Sequence, residues 1–348
     1  TFAVAIGLCG LALWRLFGPV QAPGPNEHLD LAVFDRALSF ADSTDAYLSL
    51  TGDKQFLVAK EGDAFLMFRV KGANWIAMGD PIGNRARWPD LFWTLRHMAD
   101  AHQGHIMLYQ LSSAALPCAI DLGLELVKYG EEARVELARF SLAGKATKDL
   151  RHAERRAIAE GATFEILSPG EVMARMAELK AVSDRWLELK GTSEKQFSLG
   201  RFDPAYIARF PCAVIKVENR VVAFANILAT PNGNEASVDL MRHGGEMPYG
   251  TMDFMFLRLI QWAREQGFRW FGLGIAPLAG LDARRLAPLW AKAGAFMFRH
   301  GEQFYGFEGL RAYKAKFATD WEPRYIATSR GFGLARGLAS VYRLCNHA

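Results

Sequence analysis

The sequence predicts an α+β fold in which one unit, a mixed sheet flanked by helices, occurs twice in tandem. Three observations lead there. At 348 residues, 51% of them hydrophobic and 12% aromatic, the chain can bury two separate cores. Short apolar runs bounded by turn residues alternate with stretches of helical period. The pattern strand, acidic turn, strand in FLVAKEGDAFLMFRVKG (56–72) returns in AVIKVENRVVAFANILA (213–229).

Taken in order, residues 1–19 are apolar up to Arg15 and shorter than the roughly 20 residues needed to cross a bilayer. They lack the basic start of a signal peptide, so the expectation is the end of a truncated transmembrane helix. Arg15 at its exit places the rest of the chain on the cytoplasmic side. A buried or interfacial helix is the other reading. Residues 20–28 form a Pro/Gly-rich linker.

A first domain, 29–144, should hold strands at 55–60, 64–71 and 74–79 and a helix after Trp88. A strand at 105–110, a small helix near 113–121, and strands at 123–129 and 133–140 complete it. Residues 145–165 read as a basic connecting helix carrying Lys145, Lys148, Arg151, Arg155 and Arg156 and ending at Gly161. The second domain, 166–348, then repeats strand, turn and strand, followed by EASVDLMRH (235–243) and a Gly-rich loop. A core-facing helix from Thr251 to about Gln266 and the strand FRWFGLGI (268–275) come next. The amphipathic GLARGLASVYRL (333–344) can pack on its own domain or lie on a membrane.

A net charge of +4 permits an anionic partner, nucleic acid or membrane, without demanding one. Cys9, Cys118, Cys212 and Cys345 are scattered, and the eight histidines join no acidic or thiol cluster. No metal site is expected, and a reducing compartment is favoured.

One stretch raises a sharper question. In FEGLRAYKAKFATDWEP (307–323), helical pitch puts Leu310, Tyr313 and Phe317 on one apolar stripe. Arg311 and Lys316 fall to either side of it, and Lys314 falls near its centre. A buried lysine needs an anion or a lowered pKa. The alternative is a lysine whose stem packs while its head reaches water.

The order strand, strand, loop, helix, strand is similar to a GNAT acyltransferase core, whose helix N-terminus cradles the pyrophosphate of acyl-CoA. Here the loop Arg242-His-Gly-Gly245-Glu-Met247 departs from that family's pattern, and PYG is inserted before the helix, which puts an acetyl-CoA donor in doubt. The segments EKQFSLGRFD (194–203), PYGTMDFMFLRLIQWAREQGFRWFGLGIAPLAGL (248–281) and FYGFEGLRAYKAKFATDWEPRY (304–325) resemble the bacterial aminoacyl-phosphatidylglycerol synthases. GDPIG (79–83) and KDLRHAERRA (148–157) fit the same family, the cytoplasmic part of the multiple peptide resistance factor.

That resemblance implies tandem GNAT-like folds with no cofactor. It implies aminoacyl-tRNA as donor, phosphatidylglycerol as acceptor, and a multispan flippase domain ahead of this part. The setting is the cytoplasmic face of the bacterial inner membrane. The product makes that membrane less anionic and more resistant to cationic antimicrobial peptides. The resemblance also points to Asp239, Arg242 and Lys314 as site residues. Asp239 serves as base or holds the amino acid's ammonium, and Arg242 grips a lipid or tRNA phosphate. Lys314 neutralises a phosphate or an oxyanion. Asp239 and Arg242 face one site only if the strand bulges, since i and i+3 otherwise point apart; a plain Asp–Arg ion pair is the competing reading. Glu308, Arg311, Ser198, Lys195, Trp321 and Asp253 are the candidate substrate contacts; Asp253 alternatively just favours its helix dipole. Two rivals stand beside this reading: a Fem-type peptidoglycan aminoacyltransferase, and a non-catalytic lipid- or RNA-binding module on the same scaffold.

Overall fold

The computed structural model describes residues 28–145, 147–281, 307–329 and 333–346. The apolar N-terminal stretch and most of the linker therefore lie outside the described residues. No helix among the described residues is long and apolar enough to cross a membrane.

The first half opens with α1 (Leu31–Leu38), capped by the Asp30 side chain, and a 3-10 segment, Thr44–Thr51. Strands β1 (Gln55–Val58), β2 (Ala64–Lys71), β3 (Asn74–Met78) and β4 (Ile82–Gly83) follow. Helix α2 (Trp88–Ala101) starts with proline in its first turn, and Trp88, Leu91, Phe92, Leu95 and Ala99 give it one buried face. Then come β5 (His105–Leu111), α3 (Leu116–Asp121) and β6 (Glu125–Glu136), the last a single strand where the turn at 130–132 predicted two. Gly130 lets that strand run on, because a Cβ there would lie 2.5 Å from the Ala276 carbonyl.

The connecting helix is α4 (Lys148–Ala159), leading to β7 (Thr163–Leu167), α5 (Pro169–Ala174), α6 (Met176–Lys190) and α7 (Pro204–Ile207). The second half continues with β8 (Cys212–Val217), β9 (Arg220–Ala229), β10 (Glu235–His243), α8 (Thr251–Glu265) and β11 (Trp270–Pro277). The described chain ends with α9 (Phe307–Ala315), β12 (Asp320–Thr328) and α10 (Gly333–Asn346).

The expectation of two sheets needs correction. All strands among the described residues join one twelve-stranded sheet, ordered β1-β2-β3-β5-β12-β6-β11-β10-β9-β8-β7, with β4 added on β2. Each half builds a hairpin, a third strand and a helix, then a parallel strand: β3 with β5, and β10 with β11. The halves then exchange their last strands. β6 pairs with β11, β12 pairs with β5, and the two exchanged strands pair with each other from Asp320↔Arg134 to Thr328↔Glu125. A strand left at an edge would expose a row of unpaired backbone groups, and the exchange covers both edges at once. It also carries β12 and α10, late in sequence, onto the first half.

Alternation along the strands feeds cores on both sheet faces. Leu66 and Phe68 enter one cluster with α2, while Phe65 and Met67 enter another with α1 and α10. In the second half Ala213 and Ile215 face α8, whereas Cys212 and Val214 face α6 and α7.

Candidate active site

The parallel strands β10 and β11 pair only where Glu235–Ser237 meets Trp270–Gly272. Beyond that point each stays paired to its outer neighbour, β10 to β9 and β11 to β6, and they part. A slot therefore opens in the sheet. Both strands break register at its mouth, between Val238 and Met241 and between Gly272 and Gly274. The first irregularity is the bulge that the spacing of Asp239 and Arg242 demanded, and it turns both side chains toward the α6–α7 side.

Asp239 is gripped on both oxygens. The Gly200 N–H donates to Oδ1 at 2.9 Å and the Tyr206 hydroxyl to Oδ2 at 2.9 Å. Burial pushes its carboxyl above the usual range, against the pull of those two bonds and of the Lys54 and Arg242 charges. The same burial, with the carboxylate beside it, raises the Tyr206 phenol well above its ordinary value. A raised pKa makes the Asp239 carboxylate, in its ionised form, a stronger proton acceptor, and the Tyr206 hydroxyl, which keeps its proton, serves as its donor.

Arg242 departs from expectation. It is buried, and its fork is closed on Glu194 in a bidentate pair at 2.7 and 2.6 Å, with Ser183 Oγ at 2.6 Å and the Trp186 ring beneath it. A phosphate would have to displace Glu194, so the bidentate contact exists but is internal. Arg242 is thus held in an internal ion pair with Glu194, and the competing reading, a plain Asp239–Arg242 ion pair, is not what forms.

Lys314 turns inward from α9, and its ammonium donates to the Ile275 carbonyl at 2.8 Å on the β11 edge of the slot. Gly274 beside it sits at φ +78°, a left-handed conformation that favours glycine. Burial lowers the Lys314 pKa to about 8, opposed by the Glu132 carboxylate. The flanking cations are spoken for. Arg311 reaches Glu131 at 3.3 Å and lies over the Trp321 ring, and Lys316 pairs with Asp253 at 3.0 Å. Asp253 and Trp321 thus serve those cations, and Glu308 is exposed at the helix start. Phe317 sits just past the helix yet is buried on Phe256, so the apolar stripe is as drawn.

Ser198 and Lys195 point away from the slot, to Cys345 and Asn346 of α10 at 3.4 and 2.5 Å. Their segment nonetheless holds the site, because Glu194 and Gly200 belong to it.

Sequence reasoning missed a polar junction where the halves meet. Thr44 donates to Glu235 through its N–H and its hydroxyl, each at 2.9 Å, and contacts Ser237 at 2.6 Å. Arg324 closes on Glu132 nearby, and burial drives the Asp45 and Glu235 carboxyls upward despite these partners. Asp45 and Asp80 line a cavity of about 70 Å³ with Phe40, Asp42, Arg85 and Trp88. GDPIG and WEPRY, which supply Asp80 and Arg324, were the available signals; Asp45, Glu132 and Glu235 are acids whose meeting only the strand exchange brings about.

The family model for "Phosphatidylglycerol lysyltransferase, C-terminal" matches residues 35–328. The chain belongs to that family. It is 36% identical over 301 residues to the phosphatidylglycerol lysyltransferase of Bacillus subtilis, covering 86% of this chain and 35% of that protein. With the Staphylococcus epidermidis RP62A enzyme of the same name the identity is 30%, covering 100% of this chain and 41% of the relative. The chain thus spans less than half the length of these relatives. Among solved structures, a C-terminal domain (DUF2156) assigned to a lysylphosphatidylglycerol synthetase of Agrobacterium fabrum superposes with TM-score 0.82 at 39% identity, covering 91% and 98% of the two chains. L-PGS from Bacillus licheniformis superposes with TM-score 0.80 at 32% identity, covering 94% and 100%. FemX shares the fold alone, at TM-score 0.53 and 12% identity over 91% and 99% of the chains.

The start of α8 in this lysyltransferase-family chain bears on the donor. In an acyl-CoA enzyme that helix end would face a pyrophosphate. Here Gly250, its N-cap at φ +82°, lies against α4, and a Cβ on it would meet the Ala153 Cβ at 2.8 Å.

Proposed function

We propose that this chain transfers an aminoacyl group from aminoacyl-tRNA to the glycerol hydroxyl of phosphatidylglycerol at the cytoplasmic face of the inner membrane. The observation that carries the reading is the slot itself. It has a proton-accepting carboxyl on the β10 side and a desolvated ammonium on the β11 side, within a chain of the phosphatidylglycerol lysyltransferase family. In full-length relatives of the kind matched here, a further region accompanies this part, and the expected flippase belongs there.

The chemistry is ester exchange and draws on no other energy source. The lipid hydroxyl oxygen attacks the ester carbonyl carbon while Asp239 takes the hydroxyl proton. The tetrahedral intermediate carries its negative charge on the former carbonyl oxygen, where the Lys314 ammonium stabilises it. Collapse breaks the bond to the tRNA ribose oxygen, which leaves with the proton returned from Asp239. Aminoacyl-phosphatidylglycerol and free tRNA result.

Lysine is the donor amino acid this reading favours. The named relatives are lysyltransferases, and the cavity offers Asp45 and Asp80 to an ammonium-bearing side chain, Asp42 being paired with Arg85 of the same lining. The test incubates the chain with lysyl-tRNA or alanyl-tRNA and phosphatidylglycerol vesicles and resolves the lipids by thin-layer chromatography. A new ninhydrin-positive lipid with lysyl-tRNA is expected. No aminoacylated lipid from any charged tRNA would overturn the proposal, and transfer to a murein precursor instead would favour the Fem-type alternative.

A further inference from the structure

A fully enclosed lysine from the first half stands behind the site. Lys54 has no exposed side-chain surface, and its ammonium bonds Asp53 Oδ1 at 2.6 Å and Thr51 Oγ1 at 2.8 Å. A buried ammonium on a loop ahead of β1 is costly unless it is paired and hydrogen-bonded. The second Asp53 oxygen accepts the backbone N–H of Phe197 at 2.6 Å, across the junction of the halves.

Phe197 is a non-glycine residue at φ +66°, with its ring buried against Tyr109. Such a conformation persists only where the surroundings enforce it. Here a carboxylate on its N–H and a sealed ring do so. The turn it creates decides where its neighbours lie. Three residues earlier, Glu194 clasps Arg242; three residues later, the Gly200 N–H holds Asp239. One segment thus aims both β10 side chains, and the first half fixes that segment through Asp53 and Lys54.

We propose that Asp53 and Lys54 are a positioning pair for the transfer reaction: they set the 194–200 segment that aims Asp239, and the Lys54 charge favours the ionised, proton-accepting state of that carboxylate. The inference rests on Asp239 acting as the base. Electrostatics agree with the geometry, since Lys54 and Arg242 both pull the Asp239 carboxyl down against burial. The charged and titratable groups around the pair are Asp53, Lys54 and Arg69 of the first half, Tyr206, Asp239 and Arg242 of the second, and Cys345 of α10. Of these, Lys54 and Arg242 are the cations that act on Asp239, and each is itself paired with a carboxylate, Asp53 and Glu194.

The experiment compares wild type, Lys54→Met, the double variant Asp53→Asn/Lys54→Met, Asp53→Asn and Asp239→Asn. Each is assayed for lysyl transfer to phosphatidylglycerol vesicles from pH 5 to 9, with thermal melts alongside. The double variant leaves no buried charge unpaired, and asparagine still accepts the Phe197 N–H. It should melt near wild type, lose about tenfold or more in kcat with little change in KM, and show its acid limb at higher pH. Asp53→Asn strips the buried ammonium of its counter-ion and should melt lower than the double variant. If either single variant fails to fold, the double variant decides the matter. A folded double variant with wild-type kcat and an unmoved acid limb overturns the pair's role. Full activity in Asp239→Asn instead removes the base reading beneath it, so the two failures are distinguishable.

Discussion

Gly200 and Asp239 are packed so closely that no side chain fits between them. The Gly200 N–H lies 2.9 Å from Asp239 Oδ1, and a Cβ on Gly200 would sit 1.8 Å from Oδ2. Gly200 is not in the left-handed region, so its requirement is one of space and not of backbone freedom. The carboxylate rests directly on backbone, which fixes its direction more firmly than a side-chain partner would.

Gly200→Ala should therefore act on Asp239 before it acts on the fold. Either the carboxylate swings away or the 194–200 segment backs off, and a displacement of this size costs on the order of 100-fold in rate. Overpacking of one methyl destabilises by about 1–3 kcal/mol. Steady-state transfer and a thermal melt check both, and a variant with unchanged kcat would show that the Asp239 position is not critical.

Lys314 predicts the alkaline limb of the activity profile. Its pKa is lowered to about 8 by burial, so the ammonium is present below that pH and lost above it. Transfer should fall as pH rises through about 8, after correction for spontaneous hydrolysis of the tRNA ester. Lys314→Met should remove most activity at every pH and leave no such limb. Because the folded state disfavours the charged lysine, stability from this group is present at pH above its ordinary value of 10.5 and is lost as pH falls toward 8. The methionine variant should then melt no lower than wild type at pH 7.

Much of this site was legible in the sequence because it rests on local periodicity. Helical pitch placed Lys314 on the packed side of its helix, and the i, i+3 spacing of Asp239 and Arg242 implied the bulge that β10 contains. Partnerships made across the chain were not legible. Glu194 lies 48 residues from Arg242, and Asp53 lies 144 from Phe197. Nothing in the local pattern marks Tyr206, one of nine tyrosines, as the one facing Asp239. The single sheet was hidden for the same reason, since strand exchange between similar units leaves each strand's own pattern unchanged.

Asp45 tests the choice of donor. Burial raises its carboxyl, the neighbouring Arg324 lowers it, and Glu132 and Asp80 raise it again, so a bound ammonium would restore its charge. Asp45→Asn should raise KM for lysyl-tRNA about tenfold, since a charge-assisted bond is worth roughly 1.5–3 kcal/mol. KM for alanyl-tRNA should change little. Equal effects on both donors would place the lysine ammonium elsewhere.

The Glu132–Arg324 pair tests the junction itself. Both side chains are about nine-tenths enclosed, and Arg324 Nε lies 3.1 Å from Glu132 Oε2. Arg324→Met leaves Glu132 buried and unpaired, a loss of about 3–5 kcal/mol, whereas Glu132→Gln/Arg324→Met should recover most of it. The deficit should also depend on pH in a fixed direction. Burial already raises the Asp45 carboxyl to about 6, and losing the Arg324 guanidinium, the strongest influence pulling it down, sends it further above its unfolded value. Stability of Arg324→Met is then retained at low pH and lost as pH rises through that raised value. Urea unfolding at pH 5 and pH 8 reads this out: the gap from wild type should be smaller at pH 5. A gap equal at both values would mean that Arg324 contributes through packing of its stem and not through the carboxylates it faces.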